Sequence, residues 1–325
     1  MFAIQVRHTG GPEVLTGVQL DAPTPGPGQL LVAVEAAGVN FIDTYQRGGL
    51  YPLPLPFTLG QEGAGQVLAL GEGVQGFVVG DRVAWADILG SYAEQAVVRA
   101  ERAVRVPDGV GTQVAAASML QGMTAHYLTH GTFPLASGQR CLIHAGAGGV
   151  GLLLIQVATM IGAEVFTTVG SPEKGELAKA AGAAHVLPYA DAGGRAFPRL
   201  VADVAGEHAI DVVYDGVGQA TFEGGLEVLR RRGMMVSFGN ASGPVEPIAP
   251  LRLSQAGSLF LTRPNLAHYI ATRQELEQRA GDILRWVAAG RLTIRIGEQL
   301  PLADAAQAHR MLEGRRTTGK VLLRP

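Results

Sequence analysis

The stretch from Cys141 to Ile161 limits the possible folds of this chain more than any other part of its sequence. It contains a short apolar run, "CLIHA", then the small residues "GAGGVG", then an apolar stretch of helix length. Glycines allow the chain to turn tightly between a strand and a helix that packs back onto it. The pattern therefore predicts the strand, turn and helix that open a doubly wound parallel sheet, with Gly162 ending the helix.

Five further runs of strand length follow, mostly separated by stretches long enough for helices. They read "EVFTTV", "HVLPY", "IDVVYD", "GMMVSFG" and "SLFLT". Strands that alternate with helices in this way indicate a parallel sheet with helices on both faces. We therefore predict an α/β fold, with a complete doubly wound (Rossmann) parallel sheet domain over residues 123–262.

The segments on either side of this domain have a different pattern. Short apolar runs separated by Pro- and Gly-rich turns such as "PTPGPGQ" predict an irregular β-rich domain in the first third of the chain. The part after Thr262 predicts a helix over 274–289 and a closing strand, which are too few elements for a core of their own. We therefore expect residues 1–122 and 263–325 to form one domain.

The start of the predicted helix is a candidate phosphate-binding loop, made of Gly146, Gly148, Gly149, Val150 and Gly151. The first amides of a helix lack intrahelical partners, and the helix dipole favours negative charge there. A pyrophosphate is the group that such a loop binds in dinucleotide-binding domains. The structural alternative is a tight turn that needs small residues only for packing.

The end of the second predicted strand lacks the acid that usually binds the ribose hydroxyls of NAD. The strand ends at Val169 and is followed by Gly170 and Ser171, with Lys174 one helical turn later. A carboxylate here would repel a 2′-phosphate, whereas a hydroxyl and an ammonium group can bind one. The predicted cofactor is therefore NADP(H), and we expect Glu173 to cap the following helix.

Charge and composition exclude several classes of protein. The net charge of −2 and the lack of a Lys/Arg block give no basis for binding nucleic acid or an anionic membrane. The N-terminus lacks a signal-peptide profile and no apolar run is long enough to span a bilayer, so we expect a cytoplasmic protein without membrane insertion. The single cysteine, Cys141, lies in a predicted strand, where we expect it to be inert packing.

Several segments recur in one order over essentially the whole chain: "AAGVNFIDTYQRGGLYP", "LGQEGAGQV", "LQGMTAHYL", "HAGAGGVG", "VYDGVG", "SFGNASG" and "TTGKVLL". Together they resemble the quinone oxidoreductase (zeta-crystallin-like) branch of the medium-chain dehydrogenase/reductase superfamily. The resemblance implies that the β-rich domain is GroES-like and that the nicotinamide binds in the cleft between the two domains.

The resemblance also implies roles for individual residues. Asn40, Asp43, Tyr45 and Tyr51 would line the nicotinamide and substrate side, with Gln61 nearby. Thr124 would approach the nicotinamide or its phosphates, Ser171, Lys174 and Tyr189 would surround the 2′-phosphate, and Phe238, Asn240 and Arg315 would lie close to the cofactor. Arg316 adjoins Arg315, and the sequence does not distinguish them.

Some of these residues have structural alternatives. The two tyrosines are also compatible with core or turn positions, and Asp43 with the cap of a turn. Asn40 follows an apolar run and would be costly to bury without a partner, so we expect a cofactor or substrate group to supply one.

Zinc enzymes of the superfamily carry a cysteine and a histidine where this chain has Asn40 and Gln61. Their structural zinc lobe needs four cysteines, and this chain has one. His126 and His130 would share a helix face but have no third ligand nearby in sequence. We therefore predict a protein without a metal site.

Without a metal to polarise a ketone, the residues favour an electron-poor acceptor that needs less help, such as a quinone or an activated enone. The predicted function is NADPH-dependent quinone reduction. The alternatives are an NADPH-dependent 2-alkenal or enoyl reductase and a non-catalytic NADPH-binding protein. The apolar run "GSLFLTRP" predicts an edge strand, and we expect a homodimer formed through it.

Overall fold

The structure, a computed structural model, describes residues 1–325 and divides into two compact units. One unit contains Met1–Met123 and Ile270–Pro325, and the other contains Thr124–Tyr269. The second unit thus begins at 124 where the sequence suggested 123, and it ends at 269 where the sequence suggested 262. The difference arises because a short helix after the last strand of the sheet belongs to the second unit.

The second unit is built on a six-stranded sheet in which every pairing is parallel. The strands are β9 (Arg140–Ile143), β10 (Glu164–Val169), β11 (His185–Pro188), β12 (Ile210–Asp215), β13 (Leu229–Ser237) and β14 (Phe260–Thr262). Their order in the sheet is β11-β10-β9-β12-β13-β14, the order of a doubly wound dinucleotide-binding sheet. All six predicted strands are present, and the predicted Rossmann sheet is confirmed.

Helices connect these strands, as the alternating pattern predicts. They are α3 (Gly149–Ile161), α4 (Pro172–Ala180), α5 (Phe197–Ala205), α6 (Phe222–Val228) and α7 (Pro250–Gln255), and the short helix α8 (Leu266–Tyr269) follows the last strand. Helix α3 begins after Gly148 and ends at Gly162, whose φ of 89° is left-handed and suits a residue without a side chain. Leu153, Leu154 and Val157 of this helix are buried in the unit. The prediction for this helix is confirmed at both ends.

The first unit consists mainly of antiparallel sheet. A three-stranded sheet has the order β2-β1-β4, and a larger sheet has the order β15-β16-β3-β5-β6-β8, with β7 also pairing with β3. The strands are β1 (Phe2–Val6), β2 (Leu15–Gln19), β3 (Gln29–Val39), β4 (Phe57–Thr58), β5 (Glu62–Leu70), β6 (Arg82–Ala86), β7 (Gln95–Arg99), β8 (Val104–Arg105), β15 (Ile296–Pro301) and β16 (Lys320–Arg324). This is the β-rich domain predicted from the Pro/Gly-interrupted sequence.

Few helices accompany these sheets. They are α1 (Phe41–Gly48), α2 (Thr112–Tyr127), α9 (Arg273–Ala288) and α10 (Ala305–Glu313), with short 3₁₀ helices at Pro12–Val14, Ala100–Arg102 and Leu302–Asp304. A π-helix at Leu128–Thr132 follows α2 and belongs to the second unit. The first of the two chain segments that form the first unit ends within α2, at Met123. No helix of the 325 residues is both long and apolar enough to cross a bilayer.

The C-terminal strand completes the main sheet of the first unit. β16 pairs antiparallel with β3, and Val321 lies opposite Val39 in the register. The tail therefore packs against the N-terminal segment, because its own elements bury too little surface to form a separate core. This pairing brings the start of β16 next to the end of β3, where α1 begins.

Candidate active site

The carboxyl edge of the parallel sheet gathers most of the residues expected to bind the cofactor. The glycine loop follows β9, Gly170 to Lys174 follow β10, Tyr189 follows β11, and Phe238 and Asn240 follow β13. Parallel strands all end at the same edge, so these loops lie along one side of the sheet. This is the edge at which doubly wound sheets bind nucleotides.

The glycine loop has both packing and open positions. A Cβ at Gly146 would overlap the hydroxyl of Thr167, and one at Gly151 would overlap the carbonyl oxygen of Ala145. A Cβ at Gly148 would meet only that same carbonyl oxygen, at 3.1 Å. Packing therefore explains two of the glycines, whereas Gly148 faces more open space where the unpaired helix amides begin.

Tyr189 supports the glycine loop from the end of the neighbouring strand. Its hydroxyl accepts a hydrogen bond from the backbone N–H of Ala145 at 3.0 Å. Ala145 has a φ of 55°, a left-handed conformation that is uncommon for a residue with a Cβ. This hydrogen bond to the Tyr189 hydroxyl helps to hold the turn, so Tyr189 has a structural contact in addition to the cofactor role that the family resemblance implies.

The end of β10 has the features of a 2′-phosphate site. Ser171 caps α4, since its Oγ accepts from the backbone N–H of Lys174 at 3.4 Å. Gly170 is exposed, and a Cβ there would have nothing within 4 Å. A hydrogen bond from the Ser171 side chain lowers the pKa of Glu173, which is the expected behaviour of an acid in a first helical turn.

The loops after β12 and β13 lie at the same carboxyl edge of the sheet. Asp215 is fully buried, and its Oδ1 accepts from the backbone N–H groups of Val217 and Gly218 at 2.7 and 3.0 Å. A Cβ at Gly216 would come within 2.9 Å of the Phe238 ring, so this ring lies against the loop that Asp215 shapes. Asp215 was not among the candidate site residues predicted from the sequence. An acidic residue at the end of a predicted strand, directly before "GVG", was the pattern that could have indicated it.

The histidine pair and the cysteine have ordinary environments. The rings of His126 and His130 stack with centroids 4.3 Å apart, and His130 Nδ1 lies 2.9 Å from the hydroxyl of Thr129. Thr124 is buried on the same helix. Burial raises the pKa of Cys141 to about 12, so its thiol is unreactive. No group of three or more His, Cys, Asp and Glu residues in the chain is placed to hold a metal ion.

In the first unit, Asp43 is a fully buried residue of α1. Its Oδ2 accepts hydrogen bonds from the backbone N–H of Asn40 at 2.8 Å and from the hydroxyl of Tyr92 at 3.0 Å. Burial raises the pKa of this carboxyl from 3.8 to about 7, against the opposing effect of these hydrogen bonds. Asp43 therefore caps α1 from inside the unit, which agrees with the structural alternative considered for it.

A directed chain of hydrogen bonds continues from Asp43 to the surface. Arg47 Nη1 lies 3.0 Å from His309 Nδ1, and His309 Nε2 lies 3.2 Å from the Tyr92 hydroxyl. A guanidinium can only donate, so Nδ1 accepts and the proton of the neutral ring is on Nε2. Burial and the nearby Arg47 lower the pKa of His309 to about 3, which keeps the ring neutral. Arg47 also donates to Glu313 Oε1 at 2.6 Å, so α10 and α1 are tied together.

Asn40 lies between β3 and α1, and its side chain contacts a buried ion pair. Lys320 Nζ donates to Asn40 Oδ1 at 2.8 Å and to Glu62 Oε2, and Asn40 Nδ2 donates to Glu62 Oε2 at 2.9 Å. The partner that Asn40 needs is thus supplied by the protein itself, and the expectation of a cofactor or substrate partner is not required. Gln61, next to Glu62, is also buried.

An aromatic surface lies on α1 and the loop after it. The rings of Tyr45 and Tyr51 meet edge to face with centroids 5.4 Å apart, and Phe41 lies 6.2 Å from Tyr45. Tyr51 is 37% exposed and Leu50 is 47% exposed. A planar aromatic ligand can stack on such a surface without needing a polar partner.

Arg315 and Arg316 differ in their surroundings. Arg315 has a left-handed φ of 56°, whereas Arg316 lines a cavity of about 430 Å³ together with Gln307, Arg310 and Met311. All of these residues belong to the first unit.

The sequence analysis did not predict the buried charged residues and the neutral histidine that support Asn40 and Asp43. Lys320, Glu62, Arg47 and His309 are all buried. The pattern that could have indicated Lys320 is a charged residue at the edge of an apolar run, as in "GKVLL". A charged side chain that is buried with such a run needs a partner of opposite charge.

Two family models match the chain. The model described as zinc-binding dehydrogenase matches residues 149–286, and the model described as alcohol dehydrogenase GroES-like domain matches residues 26–108. The second match confirms that the β-rich domain is GroES-like.

Full-length relatives give a closer comparison. A quinone oxidoreductase of Pseudomonas aeruginosa is 45% identical over 99% of both chains, and a 2-haloacrylate reductase of a Burkholderia species is 38% identical over 100% of this chain and 99% of the relative. The crystal structure of Escherichia coli quinone oxidoreductase complexed with NADPH superposes with a TM-score of 0.96, at 40% identity and with complete coverage of both chains.

Proposed function

The chain belongs to the quinone oxidoreductase branch of the medium-chain dehydrogenase/reductase superfamily, and on this basis we propose that it is an NADPH-dependent quinone reductase that works without zinc. The structural observation that carries the proposal is the carboxyl edge of the parallel sheet, where a glycine loop accompanies a strand end without an acid. These features suit a dinucleotide with a 2′-phosphate. The fit supports NADPH, which the E. coli relative binds in its crystal structure.

Each part of the site would perform a separate task. The first amides of α3 would bind the pyrophosphate, and Ser171 and Lys174 would bind the 2′-phosphate. Tyr45 and Tyr51 would provide an aromatic surface on which the acceptor ring stacks. Bound NADPH supplies the reducing equivalents. An electron-poor acceptor needs positioning and exclusion of water more than activation, and solvent or the Tyr51 hydroxyl would supply the proton.

The direct test is NADPH oxidation with a panel of acceptors. We expect turnover with 1,2-naphthoquinone that exceeds turnover with 2-hexenal. The alternative, reduction of activated enones, is supported by the 38% identical 2-haloacrylate reductase, and faster turnover of 2-hexenal would favour it. If neither acceptor accelerates NADPH oxidation, the proposal is wrong and a binding role remains.

Lys174→Ala should weaken NADPH binding and leave NADH binding nearly unchanged. The loss of a charge-assisted hydrogen bond costs about 1–3 kcal/mol, or about 5- to 150-fold in Kd. Fluorescence titration with both cofactors measures this difference. Lys179→Ala, on the same helix, is the control. Equal losses for NADPH and NADH would exclude a 2′-phosphate role for Lys174.

Chelation should leave activity intact, because Asn40 and Gln61 are poor zinc ligands and Asn40 is bound to an ion pair. The measurement is quinone-dependent NADPH oxidation before and after dialysis against a strong chelator, with zinc content determined in parallel. Activity that disappears on chelation and returns with zinc would contradict this expectation.

We also propose a cytoplasmic homodimer formed through β14. This strand is at the edge of the parallel sheet, and Phe260 on it is 56% exposed. Pairing with the same strand of a second copy would satisfy the open backbone groups. Phe260→Asp should shift sedimentation toward a monomer, whereas Val79→Asp, at a residue 62% exposed in the other unit, should not. Wild-type protein that sediments at 33.9 kDa at micromolar concentration would refute the dimer.

A further inference from the structure

The ion pair beside Asn40 is almost completely buried. The side chains of Lys320 and Glu62 are 1% and 0% exposed. The second carboxylate oxygen of Glu62 accepts from the backbone N–H of Leu120 at 2.6 Å. Removing two charges from water is costly, and replacing such a pair with apolar residues is often neutral or stabilising. Stability alone is therefore a weak reason for this pair to exist.

The pair and its neighbours use the full hydrogen-bonding capacity of the Asn40 amide. Oδ1 accepts from Lys320 Nζ at 2.8 Å and from Gln121 Nε2 at 3.2 Å, while Nδ2 donates to Glu62 Oε2 at 2.9 Å and to the Gly38 carbonyl at 3.3 Å. An amide offers two lone pairs and two N–H donors, so none is left for a ligand. Because an ammonium only donates and a carboxylate only accepts, the amide has one allowed orientation.

We propose that Lys320 and Glu62 are positioning residues for the quinone site. They lock the Asn40 side chain, while Asp43 holds the Asn40 backbone, and together these contacts fix the start of α1 and therefore the placement of Tyr45. This inference rests on the proposed function. The cluster joins the end of β3, the first residues of β5 and β16, and the middle of α2. A misplacement of about 1 Å at a substrate-binding surface can cost about 100-fold in rate.

Gly38 gives a way to disturb the pair without removing a charge. Its backbone φ is not in the left-handed region, so alanine causes no backbone strain there. A Cβ at this position would overlap Glu62 Oε2 and would lie 2.7 Å from Lys320 Cε. Gly111 is a matched control in the same unit, because a Cβ there has nothing within 4 Å.

The experiment compares Gly38→Ala and Gly111→Ala by steady-state kinetics with 1,2-naphthoquinone and by fluorescence titration of NADPH. We expect the KM for the quinone to rise about tenfold in Gly38→Ala, with the Kd for NADPH within about twofold of wild type. Gly111→Ala should match wild type in both. A purely structural role would instead reduce the folded fraction, with the KM unchanged in the protein that remains folded, and that result would overturn the proposal.

A second variant keeps the proposal testable if Gly38→Ala does not fold. The double variant Glu62→Gln/Lys320→Met removes both charges at similar volume, and the carboxamide of residue 62 can still accept from the Leu120 amide. Its N–H groups now face Asn40, which favours the reversed orientation of the Asn40 amide. The same rise in KM is expected, and an unchanged KM in this variant would overturn the proposal.

Crystal structures separate this inference from the proposed function. If the wild-type protein reduces no acceptor, the proposed function is wrong and no KM can be measured. In that case a crystal structure of either variant still decides whether the pair holds α1. Displacement of Asn40 and of the first turn of α1 supports a positioning role, whereas an unmoved α1 refutes it.

Discussion

Gly170→Asp should reverse the cofactor preference, with NADPH binding weakened about 100-fold. Residue 170 follows β10, is exposed, and has open space where a Cβ would be, so aspartate fits without strain. A carboxylate about 4 Å from a phosphate at an effective dielectric constant near 20 costs about 4 kcal/mol, which salt reduces to about 3 kcal/mol. The same carboxylate can accept hydrogen bonds from the ribose hydroxyls of NADH.

The matched control is Gly170→Asn, which has the same shape without the charge. Dissociation constants for NADPH and NADH, measured at two salt concentrations, distinguish charge from shape. We expect salt to narrow the difference in NADPH affinity between the aspartate variant and wild type, and the asparagine variant to follow the salt dependence of wild type. Equal losses of NADPH affinity in the two variants would mean that the side chain at residue 170 acts by its size and not by its charge.

Asp43→Asn should remove a large part of the pH dependence of stability. Burial raises the pKa of Asp43 from 3.8 to about 7, so between these values the folded protein holds a proton that the unfolded chain has lost. Stability from this group is therefore fully present below about pH 4 and is lost as the pH rises to about 7. Three pKa units correspond to about 4 kcal/mol.

Chemical denaturation of wild type and Asp43→Asn at several pH values between 5 and 8 measures this effect. The asparagine retains an oxygen to accept from the Asn40 amide and the Tyr92 hydroxyl. We expect the difference in unfolding free energy between the two proteins to change by about 1.4 kcal/mol per pH unit below pH 7 and to level off above it. Parallel curves for the two proteins would show that Asp43 is ionised in the folded state throughout.

The parts of the fold that depend on local patterns were predictable. The six strands of the second unit, the glycine turn and both ends of α3 follow from periodicity, turn residues and caps over short stretches. Gly170 and Lys174 could be selected from the end of the second predicted strand, whereas Tyr189 and Asn240 were selected only through the family resemblance. The absence of an acid at the end of β10 could be read from the sequence as soon as the end of that strand was predicted.

The support of α1 was not predictable, because it depends on contacts between distant segments. Glu62 and Lys320 are 258 residues apart, and Arg47 and His309 are 262 apart. No periodicity marks such pairs, and a single charged residue next to an apolar run has many possible partners. The partners of Asn40 were not predictable for the same reason, since Lys320, Gln121 and Glu62 come from three separate segments.

The closing strand β16 also has consequences for how the protein is made. The parallel-sheet unit is one uninterrupted length of chain, so it can fold as soon as it leaves the ribosome. The other unit lacks the strand beside β3, and with it Lys320, until residues 320–324 have been synthesised. While residues 63–319 are being added, the nascent chain therefore carries an unfinished sheet with an open edge and a Glu62 that has not yet met Lys320, and exposed strand edges of this kind favour aggregation.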